Sequence, residues 1–586
     1  MKTRKLIALF AIFSLVAVAC TNGDSGNSVS DATQPAPFSD VLRIASGEPA
    51  TLDPHLVTDV GSHGFTSKLY AGLLRLDPAM YDKDGNLVAV GAAITQDMIE
   101  QFRRGELFAS AVVVPDLAES MPEVTENPDG TTTYTFTIRE DAKFSTGRSV
   151  TAWNVAYSLD RVADPKTRST TAELYLGDIV GVIEMQRKQV INRISPNQDE
   201  VFVDIPGVEV LDERTIRITT KVDSVNSDVF LMKMTYPAAA VVDKIQAEGA
   251  ARWTDRPNST GPYVIVKKDV AEIIMEANPN YHGDKPKINR VIFYLAGGST
   301  YLRYQNGELD FTGIGIADLD LLDEVRDSNS AISKQYFEAT EMSTSYIGAN
   351  NLVPPFDDPL VRKAFALAID REAIAKNVFQ NLVIPAHGIL PPGMPGYRAD
   401  YKGQKYDPDE ARRLLAQSKY AGNMPRIKLT ISGGGSSPSI LFQRLVEAWR
   451  VELGVDVELE QIDYATFLEE MKKGSFQMFS LGWIGDYPDP DNFLMKFEGW
   501  RSAANNETQY SNPAVDALIE QARTESGLQK RIALSQQAED IIVDEAPWFV
   551  LFHSKDSVLV KPNVCGYFPT PMGISITHNI YWCENK

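Results

Sequence analysis

Two hydrophobic periods alternate along this chain. Short apolar or alternating runs predict strands at Val41–Ala45, Thr132–Ile138, Ile288–Leu295, Ile427–Ile431, Val455–Leu459, Phe476–Leu481 and Trp548–Phe552. Apolar residues at helical spacing predict helices over Phe65–Leu76, Thr95–Arg104, Tyr301–Leu309, Leu441–Leu453, Tyr464–Lys473, Pro513–Arg523 and Leu528–Val543. Turn and cap residues punctuate them. Asp129-Gly130 and Asp212-Glu213 each turn a hairpin, the second inside Val208–Thr220. Thr151 caps a helix starting at Ala152, with Trp153, Val155, Ala156 and Leu159 as its packing face. Asp358-Pro359 opens a helix that runs to Ile374, with Val361, Phe365, Ala368 and Ile369 as a buried stripe. From Ile427 onward strand and helix alternate. That rhythm predicts an α/β fold with a mostly parallel sheet and helices on its faces.

One stretch stands out against this pattern. Ser480 to Leu494 reads SLGWIGDYPDPDNFL, with Asp486, Asp489 and Asp491 beside Trp483 and Tyr487. Pro488 and Pro490 disfavour a helix, so the stretch is expected to be a loop after the strand Phe476–Leu481. An aromatic and a carboxylate at a strand's end suit a pocket wall holding one charge. The alternative is a Pro/Asp turn with a core tryptophan. Open α/β sheets bind ligands at the carboxyl ends of their strands, which is where this stretch falls.

The 586 residues correspond to about three or four domains, and an apolar content of 44% is ample for their cores. A net charge of −21 argues against nucleic acid and against electrostatic binding to an anionic membrane. Lys2, Arg4 and Lys5 precede the apolar run Leu6–Val18, the layout of a signal peptide over residues 1–19. Ala19-Cys20 resembles a bacterial lipoprotein processing site, with Cys20 as the lipidated residue and residues 20–38 as a flexible tether. An ordinary cleaved signal with an incidental cysteine is the alternative. Export favours a disulfide between Cys565 and Cys583, with two buried thiols as the alternative.

Enzyme chemistry has no residues to stand on. The chain holds no P-loop, HExxH, GxSxG or CxxC, and its six histidines lack metal-ligand spacing. Gly433 to Ser437 is glycine-rich but has no phosphate-binding lysine, and reads as a plain connection. His55 and His63 allow a shared nickel or haem site, although isolated histidines are more often structural.

GWIGDYPDPDNFL resembles a signature segment of the peptide- and nickel-type solute-binding proteins of ABC importers. So do LDPH at Leu52–His55, REDAKFSTGRSVTAWNVAYSLDR at Arg139–Arg161, TGPY at Thr260–Tyr263 and DPLVRKAFALAIDREAI at Asp358–Ile374. The resemblance implies a periplasmic-binding-protein-like fold of type II with three lobes. Residues 39–64, 209–300 and 540–586 would form lobe I, 65–208 lobe II and 301–539 lobe III. The stretches 77–107 and 177–206 would be insertions. Ligand would lie between lobes I and III, against Thr58 to Val60 on one wall. Asp486 would hold a peptide's α-amino group, Trp483 and Tyr487 would flank it, and the backbone of Gly482 to Ile484 would pair with the peptide. Ser480 stands where some members carry a basic residue, which leaves the carboxylate end unassigned. The implied partners are a peptide and an ABC permease, with no cofactor, for a monomer anchored at the outer membrane face. An oligosaccharide, opine or metal chelate is the alternative ligand, and a non-transport surface sensor the alternative role.

Overall fold

The computed structural model describes residues 40–187, 204–221, 229–433, 438–573 and 579–584. The expected signal peptide, Cys20 and tether lie outside them, as do Gly434 to Ser437 and much of the polar segment 177–206.

The described residues begin and nearly end around one four-stranded sheet, in the order Val41–Ala45, Arg290–Tyr294, Glu272–Ala277, Tyr263–Lys268. Its alternating side chains bury Ile273, Met275, Val291 and Phe293 against Phe65 and Leu69 of the helix Val60–Leu69. Asp59 sets the start of that helix, its Oδ1 accepting from Ser62 N–H at 2.9 Å. The expected helix Phe65–Leu76 is therefore displaced. The helix ends at Leu69, and Leu74–Tyr81 is a strand paired with Phe108–Pro115 and Leu87–Val90.

A second four-stranded sheet is antiparallel throughout: Glu123–Glu126, Thr132–Thr137, Thr215–Thr220, Val208–Val210. The helix Ala152–Ala163 packs on it through Val155, Leu159 and Val162. Trp153 is not part of that face; it is 62% exposed. The hairpin Val208–Thr220 hydrogen-bonds along Thr132–Thr137, so a lobe boundary at 208 would cut a ladder. This hairpin belongs with the second sheet rather than the first.

The third sheet has eight strands and is mixed, not mostly parallel. Ile427–Ser432 runs parallel to both Val457–Ile462 and Met478–Ile484. Ser343–Ala349 runs antiparallel to Met478–Ile484, and the long strand Trp548–Val560 runs antiparallel to Ser343–Ala349 on its other side. Trp548–Val560 arrives from late in the chain and also pairs with Phe311–Gly313, Tyr336–Thr340 and Val383–Pro385. It thus belongs to this sheet, although the expectation put residues 540–586 in lobe I. Only its far end and the tail, with Val558, Val560, Val564 and Ile580, enter the core of the first sheet. Cys565 and Cys583 are bonded within that tail. The helix expected over Asp358–Ile374 is two, Pro359–Leu367 and Arg371–Asn377, because Asp370 leaves the helix to cap the second with its side chain on Ala373 N–H.

Candidate functional site

The strand Met478–Ile484 positions the site. It was expected to end at Leu481, but Ser343–Ala349 pairs with it as far as Ser343↔Ile484, which carries Gly482, Trp483 and Ile484 into the sheet. A short helix, Asp491–Leu494, follows, so only Gly485 to Pro490 is loop. On the opposite edge the ladder to Ile427–Ser432 stops at Phe479. Among the described residues, no strand pairs with Ser480 to Ile484 on that edge.

A cavity of about 260 Å³ opens here, at the carboxyl ends of the parallel strands. Gly482, Trp483, Ile484 and Asp486 form one wall, and Thr58, Asp59, Val60 and His63 another. Tyr175 and Tyr236, their rings stacked 3.7 Å apart, close a third side. Tyr487 takes no part. It is 0% exposed, lies in the apolar cluster with Tyr134 and Leu159, and donates its hydroxyl to Asp491 Oδ2 at 2.9 Å. The bend of the loop at Asp486 aims it into the core, so its expected ligand role is withdrawn.

The three aspartates differ in what answers their charge. Asp491 is gripped by Arg523 at 2.6 Å and Lys233 at 3.2 Å, which hold its carboxyl far below the usual range. Asp489 pairs with Arg531 at 3.1 Å. Asp486 has only uncharged hydrogen-bond partners. The Tyr175 hydroxyl donates to its Oδ2, as does Asn492 Nδ2 at 3.3 Å. Burial pushes its pKa up to about 6, against the opposing pull of these two donors and of the Lys496 charge nearby. Asn492 also fixes the loop, its Oδ1 accepting from Trp483 Nε1 at 3.0 Å and from Asp486 N–H at 3.1 Å. Lys496 covers one face of the Trp483 ring, 4.3 Å from its centre, and is tied to Glu507 at 2.6 Å.

Tyr175, Tyr236, Asn492 and the Lys496–Glu507 pair were not singled out from the sequence. Tyr175 comes from a distant short helix, Thr171–Tyr175, whose spacing carries no sign of the cavity. His55 and His63 do not share a site. His55 is buried, with Nε2 3.0 Å from Ala240 O and Nδ1 2.8 Å from Arg161, whereas His63 lines the cavity beside Tyr236. Among the described residues no cluster of His, Cys, Asp and Glu is arranged to hold a metal.

Sheets gathered around an interior cavity, walled by a strand edge and by the Asp486 carboxylate, which no ion pair among the described residues neutralises, define a solute-binding protein. The chain belongs to the bacterial extracellular solute-binding proteins, family 5 (Middle), whose model matches residues 112–505. It is 27% identical over 605 residues to the oligopeptide-binding protein OppA of Bacillus subtilis (strain 168), covering 99% of this chain and 100% of that one. It is 28% identical over 515 residues to di/tripeptide-binding protein 2 of Pseudomonas aeruginosa (strain UCBPP-PA14), covering 85% and 90%. The murein tripeptide binding protein MppA of Escherichia coli has the same fold, with a TM-score of 0.75 at 23% identity over 93% of this chain and 99% of that one.

Proposed function

We propose that this protein captures short peptides and delivers them to the permease of an ABC importer. The observation that carries this reading is Asp486: a carboxylate on the cavity wall with no ion-pair partner among the described residues. A peptide's α-ammonium supplies the missing charge through a charge-assisted hydrogen bond. The edge from Ser480 to Ile484 offers main-chain donors and acceptors to an extended peptide, which adds a strand there. Such pairing ignores side-chain identity and permits a broad ligand range. The relatives named for oligopeptides, di- and tripeptides support the same class of ligand. Thr58 and Val60 bound the ligand from the facing wall, and the lobes close over it by a hinge movement. Lipid on Cys20, followed by the polar tether, holds the receptor at the outer membrane face.

Mass spectrometry of small molecules released from the purified, denatured protein tests this. A mixture of short peptides is the expected result. A sugar, an opine or a metal chelate in their place removes the peptide from the reading.

A further inference from the structure

The two oxygens of Asp486 are not equivalent. The Tyr175 hydroxyl donates to Oδ2, and so does Asn492 Nδ2 at 3.3 Å. Among the described residues no donor reaches Oδ1, and this oxygen is not sealed from the cavity that Asp486 lines. The hydroxyl is set from two sides. The Tyr175 ring lies on that of Tyr236, 3.7 Å away and tilted by only 3°, and the Tyr236 hydroxyl donates to Val57 O at 3.1 Å, next to the wall of Thr58 to Val60. The helix Thr171–Tyr175 is also tied to Asn505, which lines the same cavity. Glu173 Oε1 accepts from Asn505 Nδ2 at 3.1 Å and from Ser502 N–H at 3.3 Å, and Thr170 O accepts from Asn505 Nδ2 at 3.0 Å. Stacked on one side and tethered on the other, the phenol holds one place.

We propose that Tyr175 is a positioning residue for ligand capture: by engaging Oδ2 it keeps Oδ1 of Asp486 turned to the cavity, where the ligand's ammonium is received. The inference rests on the reading that this ammonium sits at Asp486. A hydroxyl donated to a carboxylate also favours the ionised form, which is the form an ammonium needs. The other charged or titratable groups around Asp486 are Lys496, tied to Glu507, and Tyr236, His63 and Asp59 on the same cavity. Burial lowers the His63 pKa to about 4 and lifts that of Tyr236 well above 10, so neither changes charge near pH 6.

Calorimetry of Ala-Ala-Ala between pH 5 and 8 tests this on the natural protein and on Tyr175→Phe, which keeps the stacked ring and removes only the hydroxyl. At pH 7 the variant should bind about tenfold more weakly. The pH below which affinity falls should also move up by about one pH unit, because the carboxylate loses a donor that favours its charge. In the Asp486→Asn background, adding Tyr175→Phe should cost nothing further, since the group it positions has lost its charge. Weaker binding with an unmoved pH profile makes Tyr175 a mere part of the wall and overturns the proposal. Equal or tighter binding by Tyr175→Phe shows a hydroxyl that only competes with the ligand, and overturns it too. Circular dichroism checks folding, and a variant that does not fold makes the hydroxyl a structural group and again overturns it. Each of these outcomes leaves the peptide receptor standing. Failure of the natural protein to bind the peptide overturns both readings.

Discussion

At the scale of single residues, the division of labour among Asp486, Asp489 and Asp491 decides what the site can do. A carboxylate already neutralised by arginine or lysine has little attraction left for a ligand, and Asp489 and Asp491 are in that state. Asp486 faces the cavity with a tyrosine hydroxyl and an amide, and burial raises its pKa from 3.8 to about 6. Two consequences of opposite sense follow. For the free protein a raised pKa favours the protonated form, so this group's contribution to stability is present below about pH 4 and fades as pH rises through about 6. For an ammonium ligand the charged form is needed, so affinity should fall as pH drops below about 6, approaching tenfold per pH unit. Calorimetry of one tripeptide between pH 5 and 8 checks this. Asp486→Asn should bind weakly with no such slope, and an unchanged slope in that variant removes Asp486 as the titrating group. Nothing in composition or spacing distinguished the three aspartates. Their difference depends on Arg523, Arg531 and Lys233, which only the fold brings to them.

At the scale of elements, the segment around Trp483 joins two jobs. Its strand half presents an open edge to the cavity, and its helical half, Asp491–Leu494, anchors the loop in a buried charge network. Arg523 is shared between Asp491 and Glu498, and Glu498 also holds Arg501. Removing one member of such a network leaves buried charge uncompensated. Asp491→Ala should therefore destabilise the protein by about 3 kcal/mol, read as a lower midpoint in thermal denaturation. Asp486→Ala should not lower that midpoint, since burial disfavours its charge; equal losses in the two variants would contradict this separation of roles. The sequence predicted most elements because caps and turns are local: Thr151, Asp358-Pro359 and Asp129-Gly130 all act within a few residues. It missed the extension of Met478–Ile484, which depends on a partner strand far away in the chain. It also missed the break at Asp370, where a local cap overrides a continuous apolar stripe.

At the scale of the whole molecule, the fold class was legible because several motifs occur in the right order along most of the chain. The assignment of segments to sheets was less so. Val208–Thr220 and Trp548–Val560 each join a sheet by long-range pairing, and pairing partners leave no periodic mark in either strand. The cavity is likewise a product of assembly. It draws Thr58 and Val60 from the start of the described chain, Tyr175 from a short helix and Asp486 from a late loop. The central claim is that this assembly seats a peptide by its amino terminus. The most direct test is calorimetry of a tripeptide with a free amino group against the same tripeptide acetylated there. Acetylation removes the positive charge and keeps the backbone. The account predicts micromolar or tighter binding for the free amine and a loss of about a hundredfold or more on acetylation. Equal affinity for the two peptides would contradict it.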